Sequence, residues 1–167
     1  MAFDPAAIRL LAFDIDGTLT DATTWWAGEV HGWLQRYSVR DGEALLRLAE
    51  GRHVLPLSRN RTASAIARMS GLGLDGRWLG VRDKIGSIQQ ICREYVVQPE
   101  AIAFVGDGPD DAAVFAHVGL GLAVADAHPE ALAAAHVVLD TPGGARVIEE
   151  IELRLAGAWP PAAGGPR

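Results

Sequence analysis

Hydrophobic residues in this chain form short runs that polar residues rarely interrupt. Such runs are typical of β-strands buried on both faces, as in a parallel sheet covered by helices. They predict strands at 9–13, 53–57, 78–79, 101–105, 120–124 and 137–139. Amphipathic patterns between them predict helices at 43–50, 62–70, 84–95, 111–116, 129–135 and 146–155. This alternation indicates an α/β fold, a doubly wound open parallel sheet with helices on both faces.

One segment, 23–38, departs from the alternation. Its aromatic and β-favouring residues flank two glycines, which predicts a β-hairpin projecting between the first strand and the first helix. Three tryptophans lie in this hairpin: Trp25, Trp26 and Trp33. They either pack against their own domain or are buried against another subunit. We expect the second arrangement, because exposed aromatic patches mark interfaces.

Composition fits one globular domain. The chain has 167 residues, 49% of them hydrophobic and 22% charged, and we place the domain at 1–156. Residues 157–167 are rich in Pro, Gly and Ala, so we expect a flexible tail there. A net charge of −6 without a basic cluster argues against nucleic acid as a partner.

Cysteine content and the length of apolar runs indicate the compartment. The single cysteine, Cys92, has no partner for an internal disulfide, and no leader-like segment opens the chain. No apolar run approaches the roughly 18 residues that a membrane-spanning helix needs, so no membrane partner is expected. We therefore expect a cytoplasmic protein.

Polar residues follow the predicted strands at the edge where an open parallel sheet binds its ligands. Seven of them are expected to meet in one crevice: Asp14, Asp16, Ser58, Arg59, Lys84, Asp107 and Asp111. Carboxylates crowded in a poorly solvated cleft repel one another and require a cation among them. Oxygen ligands without accompanying His or Cys favour Mg²⁺ over zinc.

A phosphate beside that metal needs hydrogen-bond donors. Ser58, Lys84 and the backbone N–H groups of the turn at Gly17 and Thr18 would supply them. Asp14 could then attack phosphorus and form an aspartyl-phosphate. Asp16 could protonate the leaving oxygen and later deprotonate the hydrolytic water. The residues thus predict hydrolysis of a small-molecule phosphate ester.

Four motifs carry a resemblance to a known family: "DIDGTLTD" at 14–21, Ser58, Lys84 in "VRDK", and "FVGDGPDD" at 104–111. In this order they resemble the haloacid dehalogenase superfamily of phosphohydrolases. The resemblance implies that Asp14 is the nucleophile and Asp16 the general acid and base. It also implies Mg²⁺ held by the Asp14 carboxylate, the Asp16 backbone carbonyl and Asp107, with Asp111 as a supporting acidic residue. Asp111 could instead serve only as a helix cap.

A closer resemblance is to the capless branch of 3-deoxy-D-manno-octulosonate 8-phosphate phosphatases. It rests on "VRDG" at 39–42, on Arg68 and on "VGLGLAVADAHPEALAAAHVVL" at 118–139. The motif intervals, 58 − 14 = 44 and 84 − 58 = 26 residues, are too short for an inserted cap of roughly 50 residues. The resemblance implies a phosphorylated octulosonate or nonulosonate as substrate. It also implies a homotetramer in which the hairpin covers the neighbouring active site.

The chain departs from that branch around the substrate. Arg59 and Asn60 replace the Gly and Arg of a Thr-Gly-Arg motif, Gln35 lies near the place of a lysine, and bulky Trp33 intrudes in the hairpin. Glycine also stands at 108, and the closing motif is only partly present. We expect catalysis to be intact and substrate recognition to be altered, with Arg59 and Arg68 as candidate substrate contacts. Arg68 could equally lie on a solvated helix face.

Other functions fit parts of the pattern. A capless phosphatase could act on another ester or on a macromolecule, and a catalytically silent domain could serve oligomerisation. A receiver-like signalling module also combines acidic residues, Ser/Thr and Lys on a parallel sheet. Chain order argues against the receiver, which accepts phosphate after its third strand.

Overall fold

The computed structural model describes residues 4–158, which are built around one five-stranded sheet. The elements run in the order β1 (Leu10–Phe13), β2 (Trp25–Trp26), β3 (Trp33–Leu34), α1 (Val39–Ala49), β4 (His53–Pro56), α2 (Ala63–Gly71), α3 (Lys84–Tyr95), β5 (Ile102–Gly106), α4 (Pro109–Phe115), β6 (Leu120–Ala123), α5 (Pro129–Ala134), β7 (Val137–Val138) and α6 (Val147–Leu153). The sheet order is β4-β1-β5-β6-β7, and every pair in it is parallel. The predicted open parallel sheet is therefore confirmed.

Burial explains why the central strands are uniformly apolar. All residues of β1 and β5 are buried, because α1 and α6 pack together on one face while α3, α4 and α5 form the other layer. The largest fully buried side chains include Phe13, Phe104 and Phe115. Burying each such side chain contributes about 1.5–3 kcal/mol. β1 lies between β4 and β5, with Leu10 opposite His53 and Ile102, so its end is held from both sides.

The structure corrects some element boundaries. The strand predicted at 78–79 is a 3₁₀ turn, Gly76–Trp78, because the Asp75 side chain accepts a hydrogen bond from the Arg77 N–H (3.0 Å). Leu79 makes only an isolated parallel bridge to Ser58. Helix α1 begins four residues before the predicted start, because the Ser38 hydroxyl caps its first turn by accepting from the Asp41 N–H (3.2 Å).

The hairpin at 23–38 is confirmed. Its strands pair antiparallel, with Trp25 opposite Leu34 and Trp26 opposite Trp33. The indoles of Trp26 and Trp33 meet edge to face at 5.5 Å. About half of each tryptophan in it is nevertheless exposed, so packing within the chain leaves much of the indole surface uncovered.

No cap domain is evident in residues 4–158. No helix in this range is both long and apolar enough to cross a membrane. The tail predicted at 157–167 lies, from residue 159 onward, outside the described residues.

Candidate active site

The end of β1 carries Asp14 to the carboxyl edge of the sheet. The Asp14 N–H still donates to Val105 O of β5 (2.9 Å), so the carboxylate starts from a fixed backbone. The chain then turns sharply, with Gly17 at φ +81°. A Cβ on Gly17 would lie 2.2 Å from Asp107 Oδ2, so only glycine lets the turn approach that carboxylate. The Thr18 hydroxyl donates to Asp107 Oδ1 (3.4 Å), which joins the two acidic loops.

Lys84 joins two carboxylates in the interior. Its Nζ lies 3.0 Å from Asp14 Oδ1 and 2.6 Å from Asp111 Oδ1. All three side chains are at most 10% exposed, and a buried charge is tolerated only when it is paired. Lys84 is also the single lysine among the chain's 15 basic residues, the other 14 being arginines. A compact ammonium fits between two close carboxylates, where a planar guanidinium is bulkier.

Asp111 supports the acidic loop that follows β5. Its Oδ2 accepts hydrogen bonds from the backbone N–H groups of Asp107 (3.0 Å) and Gly108 (2.9 Å), while Oδ1 accepts from Lys84. Both oxygens therefore have protein partners, as expected of a residue that caps α4 and holds its neighbours in place. Direct metal ligation by Asp111 stays a prediction.

We call Lys84 and the three aspartates around it, Asp14, Asp107 and Asp111, the buried cluster. It carries more negative than positive charge. Burial raises the pKa of Asp14 to about 6, against the opposing effect of Lys84. Burial, with Asp14 and Asp111 nearby, raises the pKa of Asp107 to about 7. Burial also acts to lower the pKa of Lys84, but Asp14 and Asp111 outweigh it, so that pKa is raised. The cluster therefore favours an additional cation.

The residues present fit a divalent metal ion. One carboxylate oxygen each from Asp14, Asp107 and Asp111 lie within 4.8 Å of one another. Asp14 Oδ1 is buried and has no hydrogen-bond donor, because Lys84 contacts it outside hydrogen-bond geometry. A buried carboxylate oxygen that has an ion pair but no hydrogen bond, within an all-oxygen donor set, suits a hard cation such as Mg²⁺.

A second group of residues forms a rim around the buried cluster, and its members range from buried to exposed. Asp16 is exposed and accepts hydrogen bonds from Asn60 (2.8 Å) and from Gln35 of the hairpin. Ser58 is buried, and its hydroxyl accepts from the Asn60 N–H (3.1 Å). Arg59 is exposed and pairs with Asp110 at the start of α4.

The rim encloses a cavity of about 390 Å³ next to Asp16. The loop after β4 and the hairpin line it, with residues Asp16, Thr24, Trp33, Gln35, Arg59, Asn60, Arg61 and Thr62. Sequence reasoning singled out Arg59 but not Arg61, and it treated Gln35 and Asn60 only as departures from a pattern. Only the spatial meeting of loop and hairpin shows that these residues surround one cavity.

The structure gives Arg68 a different set of contacts. Its Nη2 donates to Ser38 O (3.2 Å), and its guanidinium lies 6.0 Å from the centre of the Tyr37 ring. A Cβ on Gly42 would come within 2.2 Å of Arg68 Nη2, so the glycine makes room for the guanidinium. Half-buried Arg68 thus packs α2 against the start of α1, and a substrate contact by Arg68 stays a prediction.

Comparison with known proteins identifies the class. A family model for haloacid dehalogenase-like hydrolases matches residues 81–147, which include Lys84 and the loop with Asp107 and Asp111. The 3-deoxy-D-manno-octulosonate 8-phosphate phosphatase of Yersinia pestis is 33% identical over 147 residues, 87% of this chain and 78% of that protein.

Solved structures agree with these sequence matches. The crystal structure of the Yersinia pestis phosphatase superposes with a TM-score of 0.85 at 32% identity, covering 93% of this chain and 84% of that one. The cobalt-bound deoxy-D-mannose-octulosonate 8-phosphate phosphatase of Haemophilus influenzae also superposes with a TM-score of 0.85, at 28% identity. The match covers 93% of this chain and 91% of that one. The chain belongs to the haloacid dehalogenase-like hydrolases, in the branch of these octulosonate 8-phosphate phosphatases. It is a phosphoric monoester hydrolase.

Proposed function

We propose that the protein is a Mg²⁺-dependent phosphatase that hydrolyses a phosphorylated sugar acid through an aspartyl-phosphate. The observation that carries this proposal is Asp14 Oδ1, a buried carboxylate oxygen beside Lys84 that no hydrogen bond occupies. Such an oxygen is available to a metal or to phosphorus. Mg²⁺ held by the Asp14 carboxylate, the Asp16 backbone carbonyl and Asp107 would neutralise charge on the phosphoryl group.

The chain's own residues divide the remaining work. An Asp14 oxygen forms the bond to phosphorus as the ester bond breaks, and Asp16 donates a proton to the leaving oxygen. Water then attacks phosphorus, Asp16 takes the water proton, and the Asp14 carboxylate is released. Lys84 balances the charge of the group in transfer, while Ser58 and the amides at Gly17 and Thr18 are the proposed phosphate donors.

The substrate class follows from the rim and from the relatives. A cavity of about 390 Å³ is of a size that suits a small molecule. Arg59 and Arg61 on its wall offer guanidinium groups, which bind carboxylates well, and Trp33 offers an apolar face. The Yersinia pestis relative is named for an octulosonate 8-phosphate. We therefore infer a 3-deoxy-octulosonate or nonulosonate phosphate.

A screen of phosphate esters tests this function. With Mg²⁺ present, phosphate release should be fastest from phosphorylated sugar acids, and EDTA should abolish it. Neutral sugar phosphates of the same length are the matched control for the carboxylate. Preferential cleavage of phosphopeptides would refute the sugar-acid substrate and leave the phosphatase, whereas release from no ester would refute the enzyme itself.

We also infer a homotetramer in which each hairpin covers a neighbouring active site. The support is the exposure of Trp25, Trp26 and Trp33, together with the position of Trp33 in the lining of the cavity. Light scattering at micromolar concentration should give the mass of four chains, and replacing Trp25 and Trp26 by serine should lower it. A monomeric mass for the native chain would refute the shared site.

A further inference from the structure

Two amide side chains from separate segments meet on one oxygen of Asp16. Asn60 follows β4, and its Nδ2 lies 2.8 Å from Asp16 Oδ1. Gln35 follows β3 in the hairpin, and its Nε2 donates to the same oxygen. We call Gln35 and Asn60 the amide clamp.

The hydrogen-bond network fixes how both amides are oriented. Asn60 Oδ1 accepts from the Thr62 N–H (2.8 Å), and since a backbone N–H can only donate, Asn60 must turn its Nδ2 toward Asp16. Asn60 donates its other Nδ2 hydrogen to Gln35 Oε1 (2.9 Å). The same Gln35 oxygen also accepts a hydrogen bond from the Tyr37 hydroxyl (3.2 Å). Gln35 is thereby left with only its Nε2 to offer to Asp16.

The clamp is firmly anchored, although the residue that it holds is exposed. Asn60 is 8% exposed, and its backbone N–H donates to the hydroxyl of buried Ser58 (3.1 Å). Asp16 itself is exposed, so packing does little to restrict its rotamer. Both donors bind Oδ1, and among residues 4–158 no donor binds Oδ2. One oxygen is therefore fixed and the other is free of donors within the described residues, on a side chain that lines the cavity.

We infer that Gln35 and Asn60 are positioning residues for proton transfer: they hold Asp16 Oδ1 so that Oδ2 meets the leaving oxygen of the substrate. This inference rests on the proposed function, in which Asp16 is the proton donor. A proton donor matters most when the leaving group is a poor one, such as an alkoxide. It matters least for p-nitrophenolate, which departs without much help. The clamp should therefore act selectively on alkyl esters.

Gln35→Met is the sharpest variant, because it keeps the length of the side chain and removes its N–H donors. We expect kcat for 3-deoxy-octulosonate 8-phosphate, an alkyl ester of the proposed substrate class, to fall about tenfold or more, since misplacing a catalytic group is costly. For p-nitrophenyl phosphate we expect a fall of less than about threefold, because that step needs little proton donation. KM should change little for either ester.

Two further variants separate positioning from folding. Gln90→Met is the matched control, because Gln90 donates to Glu94 (2.8 Å) on the exposed surface of α3 and should leave both rates unchanged. Asn60→Leu removes the other donors and should show the same selective loss as Gln35→Met. It also removes the acceptor for the Thr62 N–H, so its thermal unfolding is measured alongside.

The outcomes are distinct. A selective loss of the alkyl ester in Gln35→Met supports the clamp. Equal losses for both esters, or no loss in a folded Gln35→Met protein, would overturn the clamp and leave the phosphatase standing. Native protein that releases phosphate neither from any phosphorylated sugar acid nor from p-nitrophenyl phosphate would overturn both the clamp and the proposed function.

Discussion

The buried cluster and the rim differ in how their side chains are held in place. Asp14, Lys84 and Asp111 are nearly inaccessible and are held by packing and by charge. On the rim, Asp16 is exposed and Gln35 is half-buried, and hydrogen bonds between distant segments hold them. The difference teaches that the proposed nucleophile and metal ligands are fixed by the sheet, whereas the proposed proton donor and substrate contacts lie where loop and hairpin meet.

The two regions also differ in how they affect the free energy of unfolding. Burial raises the pKa values of Asp14 and Asp107, so their charged forms are unfavourable in the folded protein without a further cation. The rim consists mainly of amides and exposed ion pairs, which are close to neutral for stability. Variants of the cluster should therefore change both activity and stability, and variants of the rim mainly activity.

The largest expected effect is that of Asp14→Asn. An amide is a far weaker nucleophile than a carboxylate, so phosphate release should fall by about 10³-fold or more. The unfolding temperature should not fall, because the variant removes a charge that burial disfavours. Asp140→Asn is the matched control and should affect neither quantity, because the Asp140 carboxylate is exposed and its partner Arg154 also pairs with Glu150. A half-active Asp14→Asn protein would contradict the aspartyl-phosphate.

Lys84→Met should have the largest effect on stability. It leaves Asp14 and Asp111 as buried carboxylates without a cationic partner, which typically costs about 3–5 kcal/mol of unfolding free energy. Denaturant unfolding measures this loss, and adding Asp111→Asn should recover part of it. Lys84→Arg keeps the charge but not the compact shape, and we expect it to remain impaired. Full stability in Lys84→Met would show that the cluster is better solvated than its burial indicates.

The pH dependence of stability in the metal-free protein should be a smaller effect than that of Lys84→Met, and the pKa shifts fix its sign. Because the pKa of Asp14 is raised to about 6 and that of Asp107 to about 7, the metal-free folded state holds protons that the unfolded state has lost. The contribution of these two groups to metal-free stability should therefore be fully present below about pH 4 and be lost between about pH 4 and 7, by about 3 kcal/mol for Asp14.

Mg²⁺ should reverse that loss, because it binds the deprotonated carboxylates. The rise in unfolding temperature on adding Mg²⁺ should be small near pH 5 and large near pH 8. In Asp14→Asn the rise should shrink at every pH, which makes that variant the control. An equal rise at both pH values would argue against a metal bound by these carboxylates.

The buried cluster could be predicted from sequence because its positions are set locally. An apolar strand ending in Asp14, a glycine turn and a helix beginning at Lys84 each have their own signal, and parallel strands bring their ends to one edge. The Mg²⁺ expectation followed from residue types alone. The start of α1 was missed, since Ser38 caps a turn that lies outside the amphipathic pattern.

The rim could not be predicted in the same way. The contact between Gln35 and Asn60 depends on how the hairpin lies over the loop after β4, and no periodicity encodes that placement. In sequence the two residues were merely separate departures from a family pattern, while in the structure they share one hydrogen bond and one acceptor. Arg68 illustrates the reverse case, since a residue chosen by resemblance packs against Gly42.

The smallest expected effects come from two arginines that test where the rim ends. Arg59→Gln should raise KM for a sugar-acid phosphate about threefold to tenfold, the value of one charge-assisted hydrogen bond. Its unfolding temperature should hardly change, because Arg59 pairs with Asp110 at the surface. Arg68→Gln should do the opposite, lowering the unfolding free energy by about 1 kcal/mol through lost packing and leaving KM unchanged. A raised KM with unchanged stability in Arg68→Gln would move Arg68 into the rim and restore it as a substrate contact.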